Sequence, residues 1–359
     1  MSTSTTSSTN SIYLAEDGQL LIKPVEEAYI PTDTQCLVRV EYSGVNLCDL
    51  NFLYIGLHSF ITGFELAGVV EQAGSTSRFH VGDRVCGLSP VGFPKLSEYG
   101  THQDLAIAES DLLYHVPERL SLERAATVCM AGHTAADALL NGIGVGFSAA
   151  GISGLDPNGE AILIWGGASS VGIMAIQIAK AIGFTNILTT ASANNHARLK
   201  KLGASHCFDY KSPTAVDEIQ ECQKSFGFRL RMAFDTVCKA GMGVNAATNS
   251  SAALIRRALS KDVDEEECYL VATLPIPTDA AFKQCTAYRP AGNRNSFGAP
   301  QDPESPARVR TAMTYLLQNT EVGLPVVSTV VGADNAIEAI KRVSRGEMSL
   351  EKLVIKHPI

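Results

Sequence analysis

A glycine-rich turn at 165–172 carries the clearest chemical signal in the sequence. It reads Trp-Gly-Gly-Ala-Ser-Ser-Val-Gly, which is the G-x-G-x-x-G spacing of dinucleotide-binding loops with serine at the middle glycine. The turn follows an apolar run and precedes a helical pattern, so its backbone could approach a pyrophosphate at a helix N-terminus. An ordinary strand–helix turn is the alternative. We predict that the following residues bind a dinucleotide: Gly167, Ala168, Ser169, Ser170, Val171 and Gly172.

The residues after the next predicted strand discriminate between the two nicotinamide dinucleotides. A site for NAD usually has Asp or Glu about 20 residues beyond the glycine turn, on the ribose 2′-hydroxyl. The stretch 186–206 contains no acidic residue and carries Arg198, Lys200 and Lys201. Positive charge without a carboxylate favours a 2′-phosphate, so we predict NADPH as the cofactor. A solvated basic helix face is the alternative interpretation.

A parallel sheet with crossover helices would position the glycine turn and the basic residues after it. The sequence around them has the alternation of strands and helices that such a sheet requires. Apolar runs at 161–165 and 186–190 flank a helical stretch at 170–182, which Gly183 closes. Parallel strands require such crossovers, so we predict a doubly wound parallel sheet. The first third of the chain has short β-branched runs cut by Gly and Pro, which is typical of a small irregular β-barrel. The predicted fold class is α/β with a β-rich second domain.

Composition and charge exclude several classes of protein. The 359 residues are 45% hydrophobic and 18% charged with a net charge of −8, which is a globular composition. The sequence has no dense Lys/Arg run and no apolar run near the ~20 residues that span a bilayer, so we expect neither nucleic acid nor membrane as a partner. Nine scattered cysteines favour the reducing cytoplasm. Residues 1–10 are Ser/Thr-rich, lack the features of a secretory signal and predict a disordered tail.

Four segments resemble motifs of one enzyme superfamily. Residues 44–49 (GVNLCD), 63–70 (GFELAGVV), 81–85 (VGDRV) and 202–210 (LGASHCFDY) are similar to motifs of the quinone-oxidoreductase branch of the medium-chain dehydrogenases/reductases. Within that branch, the acid-free second turn, the Phe-Asp-Tyr sequence and the Gly-rich stretch 141–159 resemble the fungal trans-acting enoyl reductases of polyketide biosynthesis. This resemblance implies a GroES-like catalytic domain and a Rossmann domain.

The resemblance also implies domain bounds and cofactor contacts. It assigns 11–135 and 305–359 to the GroES-like domain and 136–304 to the Rossmann NADP-binding domain. We further predict that Lys352, in the last strand, contacts the cofactor. Where the family usually has Trp-Lys, this sequence has Leu50-Asn51. Besides the glycine turn, the residues expected to line the cofactor are Cys48, Asp49, Leu50, Asn51, Ser192, Ala193, Asn194, Asn195, Arg198 and Tyr210.

Two substitutions relative to zinc alcohol dehydrogenases bear on the chemistry. Those enzymes have Cys where Asn46 stands and His where Phe64 stands, and neither Asn nor Phe is a tight zinc ligand. Their structural lobe of four cysteines is also missing, because 86–100 contains one cysteine. We therefore predict no metal. Without a Lewis acid, hydride addition to an activated C=C is favoured over alcohol oxidation.

Reduction of an enoyl group also requires a proton donor. Related enoyl reductases use a tyrosine shortly after the N-x-x-D segment, and Tyr54 and His58 are the candidates here. Packing and loop roles for these two residues are the alternatives, and so is a proton from solvent.

The predicted function is an NADPH-dependent enoyl reductase. Its substrate is a small polyketide-type molecule or one tethered to a carrier protein of a polyketide synthase, and a monomer is preferred to a homodimer. The alternatives are a quinone or carbonyl reductase, and a non-redox enzyme or binding module that retains the nucleotide fold.

Overall fold

The computed structural model describes residues 9–92, 94–240, 249–296, 298–324 and 326–359. These residues divide into two compact units. The first unit comprises the chain up to Met130 together with Gly323–Ile359, and the second comprises Ala131–Val322.

The strands and helices are numbered in chain order. The strands are Thr9–Leu14 (β1), Leu20–Val25 (β2), Gln35–Gly44 (β3), Phe60–Ile61 (β4), Glu65–Ala73 (β5), Arg84–Leu88 (β6), Leu105–Glu109 (β7), Leu113–His115 (β8), Ala161–Trp165 (β9), Asn186–Thr190 (β10), His206–Phe208 (β11), Leu230–Asp235 (β12), Tyr269–Ala272 (β13), Phe282–Gln284 (β14), Val326–Val331 (β15) and Glu351–Lys356 (β16). The α-helices are Cys48–Asn51 (α1), Leu122–Ala125 (α2), Cys129–Ala136 (α3), Ser170–Ile182 (α4), His196–Leu202 (α5), Ala215–Phe226 (α6), Ser251–Ala258 (α7), Ser305–Asn319 (α8) and Ala333–Ser344 (α9).

The second unit contains a six-stranded parallel sheet. Its order is β11-β10-β9-β12-β13-β14, so the chain winds outwards in both directions from β9. Every residue of β9 is buried, as expected for a parallel strand covered on both faces. The predicted doubly wound α/β fold is confirmed.

The first unit is built mainly from antiparallel strands. Its larger sheet has the order β15-β16-β3-β5-β6-β8, with β7 also paired to β3, and β2-β1-β4 form a smaller sheet. Alternating apolar residues of β3 and β5, such as Val38, Val40 and Leu66, pack with Phe79 and Val85 in one of its cores. This is the β-rich domain that the sequence predicted.

The structure differs from the predicted domain bounds at three places. Strand β1 begins at Thr9, which pairs with Val25 of β2. The last two residues of the predicted 1–10 tail are therefore ordered in a sheet. Residues 1–8 lie outside the described residues. The unit boundary falls after Met130 instead of after residue 135. Helix α8, expected in the first domain, belongs to the second unit, where the ring of Tyr315 packs edge-on against Phe147 at 5.1 Å.

Short helical segments lie in and next to the Gly-rich stretch 141–159 of the second unit. Residues 137–143 form a π-helical segment, and Ser148–Ala150 form a 3-10 turn. The long loop at 286–304, apart from Phe297, is held to the π-helical segment by an ion pair in which Arg289 binds the buried Asp137 carboxylate. Among the described residues, no helix is long and apolar enough to cross a membrane.

Candidate functional site

The glycine turn of the second unit lies at the carboxyl end of the central strand β9. Gly166 has a φ of +92°, a conformation that glycine adopts without strain. The backbone N–H of Gly167 donates to the carbonyl of Thr190 over 2.9 Å, which fixes the turn against the end of β10. Ser169 caps α4, because its Oγ accepts from the N–H of Gly172 at 2.9 Å.

Two glycines of this turn have no room for a side chain. A Cβ added to Gly167 would lie 2.1 Å from Thr189 Oγ1, and one added to Gly172 would lie 2.4 Å from the carbonyl oxygen of Gly166. The turn therefore has a bare backbone next to the first turn of α4, where helix geometry leaves the leading N–H groups without intrahelical acceptors. Backbone donors at the positive end of a helix suit a pyrophosphate, so these residues fit a dinucleotide.

The structure brings the other predicted cofactor residues of this unit to the same edge of the sheet. Trp165 and Thr190 are paired neighbours at the ends of β9 and β10, and Thr190 pairs with Phe208 of β11. Three predicted groups of residues follow these strand ends: Ser192 with the 3-10 turn Ala193–Asn195, the exposed Arg198 in α5, and Tyr210, which is 43% exposed.

In the first unit, α1 contains the four residues that the resemblance assigned to the cofactor. Asp49 is fully buried, and its Oδ2 accepts from the N–H of Asn46 at 2.7 Å. Leu50 packs against an apolar core, and Asn51 accepts a hydrogen bond from Ser344 at 2.5 Å. Burial raises the pKa of the Cys48 thiol well above its usual value, which keeps it protonated. Cofactor contact by α1 stays a prediction.

The predicted proton donors lie just after α1. Tyr54 is 82% exposed, and His58 has its Nδ1 3.0 Å from the hydroxyl of its neighbour Ser59. The structure does not bring either side chain into hydrogen-bond contact with the buried polar residues of α1. Their catalytic role stays a prediction.

A buried ion pair lies beside the two positions, 46 and 64, where zinc dehydrogenases have ligands. Lys352 Nζ lies 3.2 Å from Glu65 Oε2 and donates to Asn46 Oδ1. The other carboxylate oxygen of Glu65 accepts from the N–H of Met130 at 2.9 Å. Phe64 is buried, and its ring packs edge-on against Phe52 at a centroid distance of 5.3 Å.

This donor set does not fit zinc. The oxygens of Asn46 and Glu65 are already committed to the Lys352 ammonium and to N–H donors, and a phenyl ring offers no lone pair. Among the residues that the structure describes, no group of three or more His, Cys, Asp or Glu side chains could hold a metal ion.

Lys95 is a buried residue that the sequence analysis missed. Its Nζ donates to Ser89 Oγ at 2.9 Å and to the carbonyl of Tyr99 at 3.1 Å, and it lies 4.1 Å from the centre of the Phe64 ring. Burial lowers its pKa from 10.5 to about 7, although Cys48 and Asp49 act in the opposite direction. Lys95 follows a proline in a loop, and no motif or periodicity marks it.

Comparisons with known proteins agree with this fold. Residues 32–118 match the model of the alcohol dehydrogenase GroES-like domain, and 170–258 match that of the zinc-binding dehydrogenases. The trans-enoyl reductase TOXD of Cochliobolus carbonum is 30% identical over 223 residues, which cover 62% of this chain and 67% of that protein. A trans-enoyl reductase of Gibberella fujikuroi is 29% identical over 364 residues, covering 95% and 97% of the two chains.

A solved structure supports the same architecture. The crystal structure of an alcohol dehydrogenase superfamily protein from Novosphingobium aromaticivorans aligns with a TM-score of 0.71 and 22% identity, covering 97% of this chain and 99% of that one. At this level of identity the likeness concerns the fold.

A GroES-like unit and a Rossmann unit with a glycine turn define an oxidoreductase that uses a pyridine nucleotide. The chain belongs to the medium-chain dehydrogenase/reductase superfamily, and fungal trans-enoyl reductases are among its relatives. Its substrate is accordingly a small molecule.

Proposed function

We propose that the protein is an NADPH-dependent enoyl reductase that acts on a polyketide-type or related secondary-metabolite intermediate. The observation that carries this proposal lies at the carboxyl ends of β9 and β10, which we name the Rossmann edge. There the glycine turn 165–172 adjoins the acid-free segment 186–206, which contains Ser192 and Arg198. Two relatives that align with this chain are named trans-enoyl reductases. When bound, NADPH supplies a hydride.

Backbone groups and side chains at this edge would bind different parts of NADPH. The backbone of Gly166, Gly167 and the first turn of α4 would hold the pyrophosphate, and Ser192 and the guanidinium of Arg198 would hold the 2′-phosphate. The acid-free segment leaves no carboxylate to repel that phosphate. Arg198 is exposed, so its side chain is accessible to a ligand at the end of β10.

Zinc independence is part of the proposal. The Lys352 ammonium is the cation beside Glu65 and Asn46, so a side chain of the protein itself neutralises the buried Glu65 carboxylate. The substrate carbonyl would then be polarised by hydrogen bonds, which suits an enoyl thioester whose reduction builds charge on that oxygen. Tyr54 and His58 are the side chains proposed from the sequence to supply a proton.

The substrate class is tested by comparing turnover of matched acceptors with NADPH. We expect an α,β-unsaturated thioester, presented on a carrier protein or on a short pantetheine mimic, to be reduced faster than a free quinone or a saturated ketone. Faster turnover of quinones would favour a quinone or carbonyl reductase instead. NADPH binding without turnover of any acceptor would favour a binding module.

The proposed function also has consequences for the oligomeric state of the protein and for its place in the cell. We propose a cytoplasmic monomer that meets its substrate on a polyketide synthase. Sedimentation at micromolar concentration tests the monomer, and faster turnover of the carrier-bound than of the free thioester tests the tethered substrate.

A further inference from the structure

Five polar side chains of the first unit form one continuous row of hydrogen bonds, which we name the Asp49–Asp104 relay. Asp49 Oδ2 lies 3.1 Å from His102 Nε2, and His102 Nδ1 lies 2.8 Å from Ser43 Oγ. The same hydroxyl lies 2.9 Å from His357 Nε2, whose Nδ1 is 3.0 Å from Asp104 Oδ1. The members come from three separate stretches of the chain, 43–49, 102–104 and 357, so tertiary folding assembles them.

One end of the relay is fully buried, and the other end is more accessible to water. Asp49, His102 and Ser43 are fully buried, whereas the side chain of Asp104 is 14% exposed. At the buried end, Asp49 Oδ1 is inaccessible to water and has no hydrogen-bond partner, although its Oδ2 is bonded to both Asn46 and His102. A buried acceptor that is left open in this way costs free energy, so it marks a place where a proton or a ligand group binds.

Counting hydrogens shows that the relay is one proton short when both rings are neutral. It contains four hydrogen-bonded gaps, and each gap needs one hydrogen. Ionised carboxylates supply none, and the hydroxyl and each neutral imidazole supply one, which makes three. One additional proton, carried by His102 or by His357, completes the row. These two arrangements interconvert by two short transfers across the Ser43 hydroxyl.

We propose that the Asp49–Asp104 relay stores one proton and delivers it, through Asp49, to the substrate during reduction of the double bond. This role rests on the proposed reductase function. Reduction of C=C to CH–CH takes up one hydride and one proton. When the extra proton is on His102, it leaves Nε2 for Asp49 and then for the substrate carbon, and the ring stays neutral with its hydrogen on Nδ1. When it is on His357, the same departure is accompanied by one inward transfer from His357 to Ser43 and one from Ser43 to His102 Nδ1. A proton from water at Asp104 restores the original count.

The charged groups around the relay determine where the extra proton rests. Burial lowers the pKa of His357, with the charge of His102 adding to that effect and Asp104 and Glu41 opposing it. Burial therefore disfavours the arrangement that holds the extra proton on His357. At the buried end, the charge of Asp49 raises the pKa of Lys95, against the larger lowering by burial, and also raises the pKa of Cys48.

The stored proton is tested by ¹⁵N NMR of the histidine rings, assigned with His102→Gln and His357→Gln, without substrate or cofactor. In the wild type at neutral pH we expect one imidazolium shared by the two rings. Ser43→Ala splits the row into two separate pairs that neutral rings can satisfy, so both rings should become neutral. Ser110→Ala, at another buried serine of the same unit, should leave both rings as in the wild type. Two neutral rings in the wild type would overturn the proposal.

Asp104→Asn gives a second readout that does not require Ser43 to be changed. When the new amide turns an N–H toward His357 Nδ1, it gives up the bond that Asp104 Oδ1 accepts from the Ile359 N–H. Four hydrogens are then available with neutral rings, and His357 should move its proton from Nδ1 to Nε2. An unchanged imidazolium in this variant would contradict the proton count.

Delivery of the proton is tested separately by turnover. Ser43→Ala and Asp104→Asn should lower the rate of enoyl reduction by about tenfold or more and raise its solvent isotope effect, with NADPH affinity unchanged. If the NMR prediction holds and no enoyl substrate turns over in the wild type, the proposed function fails and the stored proton stands. If wild-type turnover is normal and both variants match it, delivery by the relay is refuted. In that case Tyr54→Phe and His58→Gln test the remaining donors.

Discussion

Lys352 Nζ and Glu65 Oε2 are 3.2 Å apart, and both side chains are almost completely shielded from water. They join β16 to β5, which are separated by most of the chain, and Asn46 binds both members. A cation supplied by the chain thus neutralises the carboxylate that lies beside the positions where a zinc-dependent relative has its ligands.

Removing one member of this pair should be far more costly than removing both. Lys352→Met leaves the Glu65 carboxylate buried without its cation, which typically costs about 3–5 kcal/mol. We expect the double variant Glu65→Gln/Lys352→Met to recover much of this loss. Urea unfolding measures both values. A Lys352→Met variant as stable as the wild type would show that the pair does not neutralise buried charge.

The stability contributed by Lys95 should depend on pH in a defined direction. Its pKa is lowered by burial from 10.5 to about 7, so between these values the unfolded chain binds more protons and stability rises with pH. Lys95→Met should therefore be most stabilising below pH 7 and lose its advantage as the pH approaches 10.5. Thermal unfolding across this range tests it, with the exposed Lys23→Met as control. A pH-independent difference would contradict the buried, shifted lysine.

Adding one methyl group to the glycine turn should impair binding and stability together. The Cβ of Gly167→Ala would meet Thr189 Oγ1 at 2.1 Å, so the turn or β10 must move, at a typical cost of about 1–3 kcal/mol. We expect weaker NADPH binding by calorimetry and a lower unfolding midpoint. Gly323→Ala, whose Cβ would meet no atom closer than 3.8 Å, is the matched control. Unchanged NADPH affinity in Gly167→Ala would place the nucleotide elsewhere.

The preference for NADPH over NADH should depend on Arg198. A charge-assisted bond to the 2′-phosphate is worth about 1.5–3 kcal/mol, so Arg198→Gln should weaken NADPH binding about tenfold or more and leave NADH unaffected. The single tryptophan, Trp165, ends β9 next to the glycine turn, and its fluorescence reports occupancy. Lys224→Gln, on the exposed face of α6, controls for net charge. Equal losses for both dinucleotides would exclude a 2′-phosphate contact.

Local patterns made the Rossmann edge predictable. The bounds of β9, α4 and β10 coincide with those read from the sequence, because a buried strand, a capped helix and closing glycines are local signals. The ordered start of β1 was missed because pairing with β2 outweighs a polar, Ser/Thr-rich composition.

The polar interior of the first unit was not predictable in the same way. Asp49 was identified from its motif, but Ser43 and His357 are 314 positions apart and no spacing links them. Lys95 looks like a surface lysine in the sequence, and only the fold buries it against Phe64. Such groups become recognisable when tertiary structure determines which charges lose contact with water.

The most direct test of the account is transfer of label from NADPH deuterated at C4 of the nicotinamide to an α,β-unsaturated thioester. We predict that one face of the nicotinamide donates, that the deuterium appears at the β-carbon of the saturated product, and that a solvent proton appears at the α-carbon. Product that carries no label from NADPH, or label found only in a hydroquinone or an alcohol, would contradict the assignment as an enoyl reductase.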